Sequence, residues 1–269
     1  MRQSFLECRS VSTSIPLRKP IPTTFQGESP DPVLLMGMHN SGSTALSRCL
    51  HACGLFMVNN ATQCESHFFS NYVNDELLMG GGANWANLPI MSVEEVMSYR
   101  DTVGKFMREQ WRIDLMQWGY DGTGPWGVKD ARTCVLLPLY LDVFPKSKVL
   151  FIRRDPDDIA ASLSHREKPG VGVHNDPEHW KKLTLAHFER VETFGGNHPW
   201  FHTVHYDELC LEPVKVGREV HDFLELPFTD EHAKVYQKTM HRDRLGTRAW
   251  TSFKWRVMAI KKGLKVMCE

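Results

Sequence analysis

Residues 33–50 read VLLMGMHNSGSTALSRCL, and the way this stretch folds decides the architecture of the whole chain. VLLMG (33–37) is a short apolar run ending on glycine, which suits a strand buried on both faces of a parallel sheet. In STALSRCLHACG, Ala45, Leu46, Cys49, Leu50 and Cys53 recur at helical spacing, and Gly54 is placed to stop the helix. Between the two, GMHNSGST (37–44) has the Gly37-x4-Gly42 spacing of the phosphate-cradling loop G-x4-G-K-[ST], with Ser43 where the lysine belongs. Successive backbone N–H groups over 39–44, backed by a helix N-terminus, form an anion nest whatever their side chains, and Ser41, Ser43 and Thr44 add hydroxyl donors. A loop without the lysine that grips a γ-phosphate suits a group of lower charge than a magnesium-bound triphosphate.

Outward from this loop, strand and helix signals alternate. LFMV (55–58), WGVKD (126–130), KVLFIRR (148–154) and FHTVHY (201–206) read as further strands. ESHFFSNYVNDELLM (65–79) reads as helix, GGGANWANLP (80–89) as loop, and Ser92-Val93-Glu94-Glu95 as a capped helix start. DPDDIAASLSHR opens with Asp155 as cap, Pro156 at the first helical position and acids in the first turn. HDFLELPF (221–228) reads as a helix end running into a proline turn. The alternation predicts an α/β layer fold with a mostly parallel sheet, whose ligands bind at the carboxyl ends of the strands. Gly37, Lys129 and Arg154 all fall at such ends. Residues 1–30, rich in Ser, Thr and Pro, read as a tail or arm, and 31–269 as a single domain.

Composition narrows the class. The formal net charge is +0, which gives no sign of a nucleic acid partner or an anionic membrane surface. No apolar run approaches the roughly 18 residues of a membrane span, and the N-terminus lacks the apolar core of a secretory signal. The seven cysteines are odd in number and form no C-x-x-C pair, against both a disulfide framework and a zinc site. Cys49 and Cys53 fall on the apolar stripe of a helix, where core packing is the expected role. A reducing, cytoplasmic setting is the expectation. Oligomeric state is left open.

Arg154 ends a strand and Ser162 lies eight residues on, about two turns into the next helix. An arginine at a strand end can give an anion a charge-assisted grip. With the loop GMHNSGSTAL, the segment WGVKDARTCVLLPLYLDVFPKSKVLFIRRDPDDIAASL and the segment HYDELCLEPVKVGREVHDFLELPF, the chain resembles the sulfotransferases that use 3′-phosphoadenosine 5′-phosphosulfate (PAPS). It is most similar to the bacterial type whose loop reads G-M-H-R-S-G-T-S, and the likeness runs patchily from about residue 33 to 228.

The resemblance implies a three-layer α/β/α sulfotransferase fold like that of P-loop nucleoside triphosphate hydrolases, PAPS as cosubstrate and no metal. It implies a cosubstrate site of His39, Asn40, Ser41, Gly42, Ser43 and Thr44 at the 5′ end and Arg154 with Ser162 at the 3′-phosphate. Related bacterial sequences carry W-G-x-K-D-P-R after the same strand. Here Ala131 replaces the proline, and Lys129, with Arg132 beside it, is placed to reach the loop as a catalytic cation. Asn40 stands where the family has Lys or Arg before Ser-Gly, so Lys129 or Arg153 is asked to compensate. Glu65 or His67 is a candidate base for the acceptor's proton, with a solvated helix cap as the plain alternative for Glu65. His39 is the other candidate base, or fixes the loop's shape. Tyr206-Asp207-Glu208-Leu209 matches an architectural strand-to-helix motif, and the basic stretch Arg242–Lys265 is a cover for the 3′-phosphate, a solvated basic helix or a surface that meets an acidic partner. The acceptor is a hydroxyl or amine on a small molecule or glycan, with sugar, lipid, small alcohol and peptide all left open, in a cleft shaped by residues 60–125 and the C-terminal segment, where Phe68, Tyr72, Trp85 and Trp111 line the space or fill the core. A P-loop kinase using ATP and Mg²⁺, and a non-catalytic nucleotide-binding protein on the same fold, are the alternatives.

Overall fold

The structure, a computed structural model, describes residues 30–58, 64–80, 85–122, 124–164 and 176–240; the proposed tail and the basic stretch Arg242–Lys265 lie outside these. Five strands form one sheet: β1 Val33–Met36, β2 Phe56–Met57, β3 Trp126–Lys129, β4 Val149–Arg153 and β5 Phe201–His205. Their order is β2-β3-β1-β4-β5 and every pairing is parallel. From β1 the chain runs out to β2 at one edge, returns to β3 beside β1, then crosses to β4 and β5 on the other side. That reversal puts a crevice outside the carboxyl end of β1, flanked by β3 and β4.

Parallel strands need crossovers, and here they are helices on both faces. Helix α1 (Ser43–Ala52) follows β1 directly. Between β2 and β3 come α2 (Glu76–Gly80), α3 (Val93–Ser98) and α4 (Lys105–Gln117). Helix α5 (Thr133–Val143) joins β3 to β4, while α6 (Pro156–Ser164) and α7 (Pro177–Gly195) join β4 to β5. After β5 come α8 (Tyr206–Leu211), α9 (Pro213–Leu224) and α10 (Asp230–Thr239). The period of two in a strand sorts the core in two. Val33, Leu35, Leu150, Ile152 and Val204 pack against Leu46, Cys49, Leu50, Val220 and Tyr236. Leu34, Met36, Val128, Val149 and Phe151 pack on the other face against Leu136, Leu137, Trp180, Leu183 and Phe188. Cys49 and Cys53 are buried and in no disulfide, in the core role their spacing implied.

Local chemistry sets the helix ends. Ser92 and Glu95 form a reciprocal capping box at α3. The Asp155 carboxylate accepts from Asp157 N–H at 2.7 Å ahead of α6. The segment expected to be helical over 65–79 begins as a π-helix over Phe68–Asp75 and only then becomes α2. The wider turn has a visible use. Asn74 donates to Thr133 Oγ1 at 3.1 Å and accepts from Tyr140 OH at 2.8 Å, and Asp75 pairs with Arg132. β2 is shorter than LFMV suggested, and Tyr206 belongs to α8 rather than β5. Among the described residues no helix is long and apolar enough to cross a membrane.

His187, on α7 and 1% exposed, makes the fold acid-sensitive. Burial first, then the charge of Arg190, push its imidazole pKa down to about 4. An unfolded chain takes up that proton near 6.5, so between these values the unfolded state binds a proton the folded state refuses. Stability from this residue is present above pH 6.5 and falls by about 1.4 kcal/mol per unit as pH drops. In urea unfolding, His187→Gln should shrink the loss of stability between pH 7 and pH 5 by about 2 kcal/mol.

Candidate functional site

The loop after β1 is held open by three unusual backbone positions. Gly42 has φ +97°, and a Cβ there would collide with the Tyr206 ring. Gly37 sits so close to Ile152 and the Ser41 hydroxyl that a Cβ would meet both at 2.6 Å. Asn40 has φ +63°, a left-handed conformation that asparagine tolerates better than other side chains. No side chain caps α1, so the helix presents its first backbone donors to the loop. Ser41 is fully buried, with no hydrogen-bond partner for its Oγ among the described residues.

Arg154, just past the end of β4, reaches back to this loop. Its Nη1 donates to the Asn40 carbonyl at 2.8 Å, its guanidinium lies 4.8 Å from the centre of the Tyr206 ring, and Nη2 is 3.9 Å from Asp158. The Asn40 side chain donates from Nδ2 to Ser162 Oγ on α6 at 3.0 Å. The loop, the end of β4, α6 and α8 border an open cleft of about 290 Å³ lined by Asn40, Gly42, Ser43, Thr44, Arg154 and Ser162, with Tyr206 as one wall. Tyr206, assigned only an architectural part in the sequence, therefore fixes the loop and flanks the arginine. Asp207 beside it has its carboxyl pKa raised by burial first, then by Asp158, with Arg154 pulling the other way.

A second group of candidate residues lies at the end of β3. Pairing of Leu35 with Lys129 puts this end beside the loop's own strand. Lys129 Nζ meets Glu65 Oε1 at 2.7 Å, and both side chains are almost fully buried. Arg132 is locked onto Asp130 through Nε at 2.9 Å and Nη2 at 2.6 Å, onto Asp75 through Nη1, and lies 3.7 Å from Glu65. Burial first, then Asp130, raise the Glu65 pKa, and Lys129 opposes them. Burial works against the Arg132 charge, but Asp130 and Asp75 outweigh it and its pKa is raised. Glu65 is thus part of a buried charge network and not a solvated helix cap.

The remaining candidates are placed differently. Lys129, the cation expected to reach the loop, forms a close ion pair with Glu65. Arg153 turns to the surface, paired with Glu192 and stacked over Phe188. His67 is exposed, its ring stacked on Trp118 at 6.1 Å and 3.4 Å from Asn71. The His39 ring packs edge-on against Trp85 at 4.4 Å, and Trp85 stacks on Trp180, tying the loop to α7. Of the aromatic acceptor candidates, Phe68 and Trp111 are core, Trp85 is half-buried and Tyr72 is 65% exposed. Sequence reasoning missed Asp75, whose link to Arg132 arises from the π-helical turn and leaves no local mark in composition.

The sequence matches a model described as the Sulfotransferase family over residues 32–230. Among solved structures, the sulfotransferase domain from the Curacin biosynthetic pathway is 17% identical with a TM-score of 0.54, over 83% of this chain and 83% of that one. The sulfotransferase domain from the Synechococcus PCC 7002 olefin synthase is 16% identical with a TM-score of 0.51, over 82% of this chain and 81% of that one. At such identities the likeness is one of fold. No curated protein matches the sequence.

Proposed function

The chain belongs to the Sulfotransferase family, and from that premise we propose that it moves a sulfuryl group from 3′-phosphoadenosine 5′-phosphosulfate to a hydroxyl or amine. The observation that carries this reading is the meeting of Arg154 and Ser162 with the glycine loop at Asn40, from positions more than a hundred residues away. An adenosine phosphorylated at both ends needs two anion sites one nucleoside apart. The loop amides of 39–44 are the 5′ site, and Arg154 with Ser162 is the 3′ site, opening on one cleft.

The chemistry is an in-line displacement. The acceptor oxygen or nitrogen forms a bond to sulfur as the bond from sulfur to the bridging phosphate oxygen breaks, and 3′-phosphoadenosine 5′-phosphate leaves with that electron pair. The acceptor's proton passes to Glu65, whose carboxyl is held above the usual carboxylate range by burial first and then by Asp130, which favours proton uptake. Lys129 sets that carboxylate's position and contributes positive charge beside the leaving phosphate. The acceptor is proposed to be a small molecule or glycan, and the setting cytoplasmic.

One observation favours a second reading, a non-catalytic nucleotide-binding protein on the same fold. Asn40 carries no charge where the family's loop has a cation, and losing one preorganised charge commonly costs on the order of a hundredfold in rate. Two measurements decide. Calorimetry should give tighter binding of 3′-phosphoadenosine 5′-phosphate than of ATP with Mg²⁺; the reverse order supports a kinase and overturns the proposal. Incubation with sulfur-labelled PAPS and a panel of hydroxyl and amine acceptors should move label to one of them. Binding with no release of label supports the binder.

A further inference from the structure

We infer that Asn40 serves the 3′-phosphate end of the cleft, as the residue that positions Ser162, and so helps decide that the site takes a 3′-phosphorylated adenosine. The inference rests on the reading of Arg154 and Ser162 as the 3′-phosphate site.

Three features of Asn40 converge on that end. Its backbone is left-handed, with φ +63°, and the amide Nδ2 donates to Ser162 Oγ at 3.0 Å. Its backbone carbonyl, through the same residue, accepts from Arg154 Nη1 at 2.8 Å. Both 3′-site side chains are therefore held by one loop residue, by its main chain and its side chain respectively. Because Asn40 donates and Ser162 accepts, the serine's own O–H is left to donate into the cleft that both residues line. A donor already accepting a hydrogen bond is polarised and is the better donor. An uncharged amide suits this task. A lysine or arginine could also donate to Ser162, but would bring a charge that strengthens every phosphate contact without telling the 3′ end from the 5′ end.

The test measures the dissociation constants of 3′-phosphoadenosine 5′-phosphate and adenosine 5′-phosphate, by calorimetry, for the full chain and for Asn40→Gly. Glycine adopts φ +63° freely, so the loop keeps its shape and only the amide is removed. The expected result is a loss of about threefold to tenfold in affinity for the 3′-phosphorylated ligand and a distinctly smaller loss for adenosine 5′-phosphate. In a Ser162→Ala background, Asn40→Gly should cost less than it does alone, because the amide then has no hydroxyl to orient. Equal weakening for both ligands would overturn the inference, since Asn40 would then serve the 5′ end or the loop as a whole. Unchanged discrimination in Asn40→Gly would overturn it as well. If the unaltered chain itself fails to prefer the 3′-phosphorylated ligand, it is the assignment of Arg154 and Ser162 that fails.

Discussion

Arg154→Ala is expected to weaken binding of 3′-phosphoadenosine 5′-phosphate by about 2–5 kcal/mol, at least roughly thirtyfold in dissociation constant. The range is that for truncating one partner of a buried, hydrogen-bonded charge pair. The arginine side chain is only 14% exposed, so solvent screens it weakly. Its surroundings push the loss upward. Asp158 lies 3.9 Å from Nη2, and Asp207 carries a carboxyl whose pKa Arg154 holds down against burial and Asp158. Without the guanidinium, a dianionic phosphate faces these acids with nothing to offset them. Arg154→Lys keeps the charge but loses the planar fork and the stacking on Tyr206, so it should recover only part of the affinity. Adenosine 5′-phosphate supplies the control, because it lacks the group that Arg154 is proposed to hold. Calorimetry that finds equal binding of the 3′-phosphorylated ligand by the alanine variant would remove the main site assignment.

The part of this site that was legible in the sequence is the part that is local. The strand-loop-helix reading of 33–54 needed only periodicity and two glycines, and the helix start at Asp155-Pro156 needed only four residues. The fold followed, because alternating strands and helices leave few topologies open. What the sequence could not display is which side chains meet across long separations. Asn40 and Ser162 are 122 positions apart, and Glu65 and Lys129 are 64. Nothing in ATQCESHFF announces that Glu65 is buried, because burial there depends on β3 lying beside β1. Tyr206 is the clearest case. Its motif marked it as a strand-to-helix tie, yet its ring is the reason that Gly42 must be glycine and is also the surface against which Arg154 rests. The π-helical turn over Phe68–Asp75 was equally silent, since its apolar pattern differs little from that of an α-helix over so short a span.

The largest effect on stability is expected from Lys129→Met, which should cost about 3–5 kcal/mol near pH 8, because it leaves the Glu65 carboxylate buried without its partner. The pair is close, at 2.7 Å, with side chains 6% and 7% exposed, so neither water nor salt takes over the missing charge. Arg132 offers little relief: it is 3.7 Å from Glu65 and already committed to Asp130 and Asp75. The pH dependence identifies the cause. Burial and Asp130 already hold the Glu65 pKa above the ordinary carboxylate value, and Lys129, ahead of Arg132, limits the rise. In the variant the pKa climbs further, so the folded state binds a proton that the unfolded state has released. A raised carboxylate costs stability as pH rises from its unfolded value toward its folded one, and the cost is relieved on acidification. Urea unfolding of Lys129→Met should therefore show a smaller deficit against the unaltered protein at pH 5 than at pH 8. Adding Glu65→Gln should return most of the loss at pH 8, since a neutral amide does not require the ammonium. A deficit that is the same at both pH values and indifferent to the glutamine would mean that Lys129 matters for its packed methylenes and not for its charge. Lys129 would then lose its place both as the partner that sets Glu65 and as the cation proposed to stand in for the one missing from the loop.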